Sequence, residues 1–426
     1  MEVKAGYKLT QVGVIPEDWE AVTIGDVATF SGGSQPPRST FRFASKQGYI
    51  RLIQIRDYKT DEYATFIPEL MARKRCTAED IMIGRYGPPI FQILRGIEGA
   101  YNVALLKAIP SERIHREFFF NVLKQEKLFQ LIDSRSQRSS GQTGVEMPAL
   151  KGYRLSLPPF PEQRSIATVL SDMDALLRSL DQLTAKKRDL KQATMQQLLT
   201  GKKRLPGFGQ GKGYQQTEIG VIPEDWNVKL LGDIFSLGNG FSFKSEYFSS
   251  NGPIVLTPGN FKLEGGLYFN NRNTKRYSGD FPESTVFENG NLLVVMTDLT
   301  PDCKLLGKPA FVDSEEKILH NQRIGKIRLL SDNFDKQFLY FTLLSSPYLK
   351  KIKDQATGST VRHTSNKSIY SVSLPIPKQL EEQRAIANVL CDMDTELAAL
   401  EQRRDKTSAL KQGMMQELLT GRTRLL

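Results

Sequence analysis

Two stretches of the chain, residues 162–200 and 382–420, place apolar side chains alternately four and three residues apart. This spacing is typical of α-helices that pair along an apolar seam. The seam positions are Ile166, Leu170, Met173, Leu177 and Leu180 in the first stretch, and Ile386, Leu390, Met393, Leu397 and Leu400 in the second. Gly201 and Gly421 follow the two stretches, as glycine commonly follows the last turn of a helix. The pattern predicts two long helices of about 58 Å each.

The regular spacing of the first helix is lost after Leu180. The next apolar positions, Leu183 and Leu190, are out of register with those before them. We therefore expect the seam to shift to Leu183 and Leu190, and the helices to supercoil imperfectly.

Short apolar runs separated by Gly, Pro, Asn and Asp fill the segments 21–158 and 228–375. Such runs predict β-strands joined by turns. We expect strands at 50–55, 81–83, 254–256 and 292–296, and one helix in each segment, near 117–132 and 336–352. The predicted fold class is α+β, with two globular mixed α/β domains joined by two long helices.

The chain is an internal repeat. Gly-Val-Ile-Pro-Glu-Asp-Trp occurs at 13–19 and again at 220–226, an offset of 207 residues. Glu-Gln-Arg occurs at 162–164 and at 382–384, an offset of 220, so the second intervening segment is 13 residues longer. Only scattered features align between these blocks: Asn102 and Lys107 with Asn321 and Lys326, and Gly141 and Thr143 with Gly358 and Thr360. One scaffold therefore carries two different surfaces.

The order of the repeated blocks is that of a closed ring cut once. In the middle of the chain, Leu-Leu-Thr-Gly at 198–201 precedes a flexible glycine-rich linker at 206–213 and then the second Gly-Val-Ile-Pro. The chain ends just after the second Leu-Leu-Thr-Gly and begins just before the first Gly-Val-Ile-Pro. We therefore expect neighbouring termini and two antiparallel helices in a pseudo-two-fold circular arrangement.

This organisation divides the chain into five segments. They are an N-terminal domain at 1–158, a central spacer helix at 159–205, a linker with the repeated block at 206–227, a C-terminal domain at 228–377 and a C-terminal spacer helix at 378–426. In this arrangement the two helices form a rod of fixed length between the domains.

The chain of 426 residues has 58 Lys and Arg against 47 Asp and Glu, a formal net charge of +11. This surplus favours a polyanionic partner, of which nucleic acid is the commonest. The three cysteines are far apart, and the N-terminal residues lack the apolar core of a signal peptide. The apolar run at 292–296 is too short to span a bilayer. We expect a cytoplasmic protein.

Familiar catalytic patterns are absent from the sequence. It contains no Walker A motif, no dinucleotide-binding glycine motif after a strand and no amino-methyltransferase motif. His115, His320 and His363 are scattered and have no zinc-binding spacing. The twin Glu-Gln-Arg and Asp-Met-Asp blocks are more typical of capping and solvated helix faces than of a nuclease site. We expect no catalytic residue, metal or cofactor in this chain.

Arg and Gln, which make paired hydrogen bonds to guanine and adenine, cluster near the ends of the predicted strands. Our candidates for DNA contact in the first domain are Arg51, Gln54, Arg56, Arg85, Tyr86, Arg138, Gln142 and Thr143. Those in the second domain are Thr257, Asn260, Gln322, Arg323, Thr360 and Arg362. Each could instead be an ordinary solvated loop side chain. The basic runs at 186–191 and 202–204 could contact phosphates or form a solvated helix face.

Several segments resemble those of a known family. Residues 6–19 resemble the start of type I restriction-modification specificity subunits, the HsdS family. Residues 157–167 and 374–387 resemble the start of that family's spacer helices, and residues 99–104 resemble a framework segment of its target recognition domains. The resemblance covers essentially the whole chain, in the family's order.

The resemblance implies that each domain reads one half of a bipartite double-stranded DNA site, and that the helices set the gap between the halves. Two methyltransferase (modification) subunits would dock on the scaffold, and a restriction/translocase subunit would join them. S-adenosylmethionine, ATP and Mg²⁺ would bind to those partners and not to this chain. The spacer helix lacks the tandem tetrapeptide repeat that some members carry, and no base-reading position carries over by motif.

Two other functions are compatible with the sequence. The chain could be the paired DNA-binding scaffold of another defence system, which shares the repeat but needs no methyltransferase. It could also be the reader module of a fused methyltransferase or nuclease, against which the missing catalytic motifs argue.

Overall fold

The computed structural model describes residues 4–136, 144–300 and 302–425. The chain folds into two compact units, and each takes in part of both long helices. The first unit comprises Met1–Asp181 and Gln402–Leu426, and the second comprises Gln182–Glu401. Within the described ranges, no helix is both long enough and apolar enough to cross a bilayer.

The first unit contains two four-stranded sheets. One is antiparallel, with the order Ala28–Gly32, Leu105–Pro110, Ile81–Gly84, Ile93–Leu94. The other has the order Phe66–Pro68, Tyr49–Ile53, Gly99–Tyr101, Arg75–Cys76, and its two middle strands are parallel. Tyr7–Thr10 forms a hairpin with Gly13–Pro16, and Glu20–Thr23 pairs with Arg154–Leu157. The shorter helices and helical turns are Ile24–Val27, Arg38–Thr40, Ile55–Tyr58, Glu69–Met71, Arg116–Leu123, Glu126–Ser136 and Met147–Gly152.

The second unit repeats this design. Its antiparallel sheet has the order Phe235–Asn239, Ile324–Leu329, Leu292–Val295, Pro309–Phe311. Its second sheet has the order Lys275–Tyr277, Phe248–Val255, Ile318–Leu319, and the last two strands are parallel. Three further pairs are Tyr214–Thr217 with Gly220–Pro223, Trp226–Leu230 with Ser373–Pro377, and Thr297–Asp298 with Arg362–His363. The shorter helices and helical turns are Leu231–Asp233, Ser245–Tyr247, Pro258–Asn260, Glu283–Thr285, Lys336–Leu344, Ser346–Asp354 and Asn366–Tyr370.

The antiparallel sheets of the two units have their strands in the same spatial order, although the sequences between the repeated blocks differ. This confirms the α+β class and the use of one scaffold twice. The four predicted strands are present. Each single helix predicted near 117–132 and 336–352 is wrong, because each is two helices. In the second unit, Pro347 lies at the start of the new helix, where its missing N–H costs nothing.

The two long helices are Phe160–Leu198 and Leu380–Leu418, each of 39 residues. Within the first unit, Asp174 pairs with Lys411, and Asp181 pairs with Arg404. Residue numbers fall along one helix as they rise along the other, so the two helices run antiparallel there, as predicted. Lys191 with Asp394 and Arg188 with Glu401 show the same direction within the second unit.

The predicted shift of the seam to Leu183 and Leu190 is wrong. These side chains are 40% and 52% exposed. The buried positions instead continue in the original register through Thr184, followed by the largely buried Lys191 side chain. The seam keeps its spacing because polar side chains occupy it, and hydrophobicity alone could not reveal those positions.

A buried junction anchors each long helix to its unit. In the first unit, Trp19 Nε1 donates a hydrogen bond to Glu162 Oε2 at 3.0 Å, and Arg424 binds the same carboxylate from Nε and Nη2, each at 2.8 Å. In the second unit, Trp226 donates to Glu382 at 3.1 Å. Arg204 binds that carboxylate from Nε at 2.6 Å and from Nη2 at 2.8 Å.

The glutamine after each of these glutamates binds one backbone carbonyl just before the long helix and another in a loop that is distant in sequence. Gln163 Nε2 donates to the carbonyls of Pro158 and Arg113, and Gln383 Nε2 donates to those of Pro377 and Asn333. A solvated face is therefore the wrong interpretation of the Glu-Gln pair, because all four side chains are buried. The glutamate and the glutamine of each Glu-Gln-Arg block are structural anchors.

Candidate nucleic-acid interface

In the first unit, the ends of three strands meet at one turn. The N–H of Asn102 donates to the Ile53 carbonyl at 3.1 Å, and the N–H of Arg85 donates to the Ala104 carbonyl at 2.8 Å. The loops that begin with Gln54 and Arg85 therefore flank the turn. We call the surface formed by Gln54, Arg85, Tyr86 and Val103 the first loop face.

The second unit has an equivalent surface. The N–H of Leu256 donates to the Leu319 carbonyl at 3.1 Å, and the N–H of Met296 donates to the Arg323 carbonyl at 2.9 Å. Thr297 Oγ1 lies 3.1 Å from His363 Nδ1, which brings in the loop before the last short helix. We call the surface formed by Thr257, Gln322 and His363, together with the loop that begins at the buried Thr297, the second loop face.

Two predicted arginines of the first unit lie around a buried carboxylate. Arg51 Nη2 is 2.7 Å from Asp61 Oδ1, and its Nε is 3.7 Å from Asp57 Oδ2. The Arg56 guanidinium lies over the Tyr63 ring, with its carbon 5.6 Å from the ring centroid. Burial raises the pKa of Asp57, while the N–H of Gln54 and the two arginines act to lower it. Arg51 is thus partly neutralised by its neighbours, whereas Arg56 is exposed.

Some of the remaining candidates of the first unit belong to the first loop face, and the others lie outside the described residues. Gln54 Nε2 donates to Thr65 Oγ1 at 3.1 Å, and the Arg85 guanidinium carbon lies 5.1 Å from the Tyr86 ring centroid. Both belong to the first loop face, where the Gln54 amide has a hydrogen-bond partner and the Arg85 guanidinium lies near the Tyr86 ring. The candidates Arg138, Gln142 and Thr143 lie outside the described residues.

Thr257 and Asn260 support a turn of the second unit. Asn260 is fully buried, and its Oδ1 accepts from Thr257 N–H and Oγ1–H, each at 2.9 Å. Its Nδ2 donates to the Asn273 carbonyl at 3.1 Å. The equivalent turn of the first unit is capped by Asp57, which accepts from the Gln54 N–H at 3.0 Å. Asn260 thus holds Thr257 in the loop face without being accessible itself.

Four candidates of the second unit are accessible to different degrees. Gln322 and Arg323 are exposed on one turn, and Thr360 is exposed on the loop that precedes Arg362. Arg362 is half-buried, and its backbone is paired with Asp298. The turn of Gln322 and Arg323 is hydrogen-bonded to Met296, and the adjoining Thr297 and Asp298 pair with His363 and Arg362, so these candidates lie on neighbouring loops.

Sequence reasoning missed one supporting side chain in these loops, Asp298, and aligned a second, Asn321, with Asn102 without identifying what it supports. Asp298 is buried, and its carboxylate accepts from the N–H groups of Thr300, Leu305 and Leu306 at 2.8, 2.5 and 3.2 Å. Asn321 accepts from the Arg323 N–H at 3.0 Å. An Asp or Asn two residues before a turn residue is a local signal of such bonds, but it does not show whether the residue is buried.

The basic run of the first long helix has partners within the second unit. Lys187 pairs with Glu396 at 2.7 Å, Arg188 pairs with Glu401 at 2.5 Å, and Lys191 pairs with Asp394. These pairs join the two long helices. We expected this run to contact phosphates or to form a solvated face. Neither expectation includes these ion pairs with the other long helix. In the described ranges, no group of three or more His, Cys, Asp or Glu is placed to hold a metal ion.

Similar sequences point to one family. The family model for the type I restriction modification DNA specificity domain matches residues 16–187 and 223–408. The type I restriction enzyme MjaVIII specificity subunit of Methanocaldococcus jannaschii is 26% identical over 416 residues, covering 96% of this chain and 94% of that protein. The type I restriction enzyme EcoBI specificity subunit of Escherichia coli is 28% identical over 209 residues, covering 47% of this chain and 40% of that protein.

Solved structures share the fold. An S subunit of a type I restriction-modification system from M. genitalium superimposes with a TM-score of 0.56 at 14% identity, covering 98% of both chains. A chain from a study of complex assembly and conformational transition of the type I R-M system has a TM-score of 0.55 at 17% identity, covering 96% of this chain and 99% of that one. With the family model matched in both halves, this chain belongs to the type I restriction-modification DNA specificity family, and its role is DNA sequence specificity in such a system.

Proposed function

We propose that this chain is a non-catalytic specificity subunit in which each domain reads one half of a bipartite DNA site. The observation that carries the proposal is that both units contain the same junction, whereas their loop faces carry different side chains. Trp19, Glu162 and Arg424 repeat as Trp226, Glu382 and Arg204, with matching hydrogen bonds. Two domains that recognise different sequences from one scaffold need the same structural junction and different exposed loops.

The long helices are proposed to set the gap between the half-sites and to dock two methyltransferase subunits. Two copies of one partner need two equivalent surfaces. Leu190 and Leu410 supply such positions, since they are related by the repeat offset of 220 and are 52% and 59% exposed. A restriction/translocase subunit would join this complex. S-adenosylmethionine, ATP and Mg²⁺ would bind to those partners, because this sequence has no motif for them.

Domain exchange tests the proposal directly. Residues 21–158 are replaced by the matching segment of a relative, and the methylated sequence is read by methylome sequencing of a host that carries the whole operon. Only one half of the methylated site should change. The reciprocal exchange of residues 228–375 is the control and should change only the other half. A change in both halves after either exchange would contradict independent readers, and methyl transfer by the purified chain alone would contradict a non-catalytic role.

A further inference from the structure

One turn occurs at the same place in both loop faces and is stabilised in the same way. In the first unit, Asn102 Oδ1 accepts a hydrogen bond from the Ala104 N–H at 3.1 Å. In the second unit, Asn321 Oδ1 accepts one from the Arg323 N–H at 3.0 Å. Asparagine side chains that bind the backbone two residues later fix the local conformation. We call the segments 102–104 and 321–323 the asparagine turns.

Each asparagine turn also packs against a glycine. A Cβ atom on Gly33 would lie 1.9 Å from the Asn102 carbonyl oxygen, and one on Gly240 would lie 2.3 Å from that of Asn321. Both distances are far below van der Waals contact, so only glycine permits this approach. The backbone of each turn is therefore held by its own asparagine and by a neighbouring chain segment.

The asparagine turns lie at the centre of the loop faces. The first is hydrogen-bonded on one side to Ile53, the neighbour of Gln54, and on the other side to Arg85. The second follows the strand that pairs with Phe248–Val255, and Arg323 binds the backbone of Met296, the neighbour of Thr297. The middle residue of each turn therefore lies between loops that carry candidates for DNA contact, Gln54 and Arg85 in the first unit and Thr257 in the second.

The middle residue differs between the two turns, whereas the frame does not. Val103 is 41% exposed, although it is apolar, and Gln322 is exposed at the equivalent position. Neither exposed side chain is needed to hold the turn, since the asparagine and the glycine do so. A fixed frame with a variable, exposed middle residue is suited to reading sequence.

We propose that the middle residue of each asparagine turn reads one base pair in the major groove, with Gln322 binding an adenine and Val103 contacting the 5-methyl group of a thymine. This inference rests on the proposed function of the two domains as independent readers. Glutamine pairs with adenine by accepting from N6 and donating to N7, and the 5-methyl group of thymine is the major-groove group that apolar side chains typically contact.

The contacts of Gln322 leave the required groups available. Its Nε2 donates to Ser242 Oγ at 3.2 Å. Since an amide nitrogen carries two hydrogens, one N–H and the Oε1 acceptor have no other partner among the described residues. Ser242 acts as a positioning residue, because its hydroxyl fixes the plane of the amide before DNA arrives.

The test for Gln322 uses the complete restriction-modification operon. Gln322→Glu converts the amide to an acceptor-only group, which suits the N4 amine of cytosine. We expect one position of one half-site to change from adenine towards cytosine, with a preference change of roughly 10- to 100-fold. The half-site read by the first domain should remain unchanged and serves as the internal control. Ser242→Ala should weaken the adenine preference, and Ser242→Thr should restore it.

The test for Val103 uses the purified chain and synthetic DNA. Replacing thymine by deoxyuridine at each position of the first half-site removes one methyl group at a time. One position should lose about fourfold in affinity, the value expected for one methyl group buried. Val103→Asn, which puts a polar side chain of similar size in that position, should abolish that dependence, whereas Gln322→Ala should leave it intact.

The outcomes separate this inference from the proposed function. If the Gln322→Glu variant methylates the original sequence while domain exchange changes one half-site, the inference is wrong and the two-reader function stands. If the Gln322→Glu variant methylates nothing, the DNA affinity of the Gln322→Ala variant is measured instead, with each of the four bases placed in turn at each position of the site. Retention of the parental preference at every position would overturn the assignment, and loss of an adenine preference at one position would support it. A uridine effect that persists in Val103→Asn would overturn the assignment of Val103.

Discussion

Arg424 and Asp18 are 406 positions apart in the sequence, and two hydrogen bonds of 2.9 and 2.8 Å join the guanidinium to the carboxylate. The same pair occurs in the second unit between Arg204 and Asp225, at 2.8 Å in both bonds. In the second unit the arginine and the aspartate belong to one continuous segment, whereas in the first they come from opposite ends of the chain. The expected neighbouring termini are therefore confirmed, since residues near both ends of the chain share this junction.

Removal of Arg424 should destabilise the first unit. The Arg424→Ala variant leaves the buried carboxylate of Glu162 without its cation, and a buried charge that loses its partner is costly. We expect a loss of about 2–3 kcal/mol in the free energy of unfolding, measured by urea denaturation. Backbone hydrogen exchange should localise this loss to the first unit.

Arg422→Ala is the matched control for that variant. Arg422 lies two residues away, is exposed, and pairs with Glu417 at 3.3 Å on the surface. Surface pairs contribute little, so we expect a change within about 0.5 kcal/mol. Equal effects of the two substitutions would show that the buried junction does not hold the end of the chain.

A second prediction concerns the glycine that ends the second long helix. Gly421 has a φ of +73°, and a Cβ atom there would lie 2.5 Å from Pro16 Cδ. Gly421→Ala combines a left-handed backbone with a clash, so we expect a loss of at least about 2 kcal/mol in unfolding free energy. Gly413→Ala is the control, because Gly413 lies within the same helix and has open space around it. That substitution should stabilise the protein by about 0.5–1 kcal/mol.

The repeat made the global arrangement predictable, because the order of blocks such as Gly-Val-Ile-Pro constrains the fold without reference to packing. The same reasoning could not identify the role of Glu162. A carboxylate on a helix usually faces solvent, and its burial depends on Trp19 and Arg424, which are distant in sequence. Leu183 shows the opposite case. A leucine on a long helix is usually buried, and the sequence does not show that this one is exposed.

Sequence reasoning has the same limit for the candidate sites, because it does not show which polar side chains are buried. Asn260 and Gln322 have similar side chains in similar loops, yet one is fully buried and the other is exposed. Asn260 is bonded to both Thr257 and Asn273, and no local pattern shows that such a side chain is buried. Val103 was overlooked because an isolated valine usually indicates a strand or the core.

A third prediction concerns the pH dependence of folding. His320 is buried against the Phe287 ring, and burial lowers its pKa below the ordinary 6.5, although a hydrogen bond with the Ile324 carbonyl at 2.7 Å acts to raise it. As pH falls below 6.5, the unfolded chain takes up this proton before the folded one does. The contribution of His320 to stability is therefore full above pH 6.5 and is lost as pH falls towards the lower folded pKa.

Urea denaturation at pH values from about 5.5 to 7.5 checks this prediction, since that window brackets the ordinary histidine pKa. The His320→Gln variant, which keeps an N–H donor for Ile324, should lose part of the pH dependence in this window. His363→Gln, at an exposed histidine of the same unit, should keep it. An unchanged slope in the His320→Gln variant would contradict a lowered pKa.

The last prediction concerns the long helices as a ruler. Four residues are inserted after Leu183 and four after Arg403, its equivalent at the repeat offset of 220. Both insertion points fall between the pair Asp181–Arg404 of the first unit and the pair Arg188–Glu401 of the second. The ion pairs within each unit are therefore retained. Insertion after Leu183 alone is the control, which lengthens only one helix and should destabilise the protein.

Length and rotation predict different effects of the double insertion on the DNA gap. Each helix lengthens by about 6 Å, which at 3.4 Å per base pair favours nearly two additional pairs. Four residues at about 3.6 per turn rotate the helix by roughly 40° beyond one turn, close to the roughly 34° of a single base pair. A domain that is rotated out of line with the DNA groove loses its base contacts. A length mismatch of a few ångströms can instead be accommodated by DNA bending, at a cost of a few kcal/mol. We therefore expect methylome sequencing to show a gap that is one base pair longer between unchanged half-sites. An unchanged gap in an active complex would mean that these helices do not set the spacing.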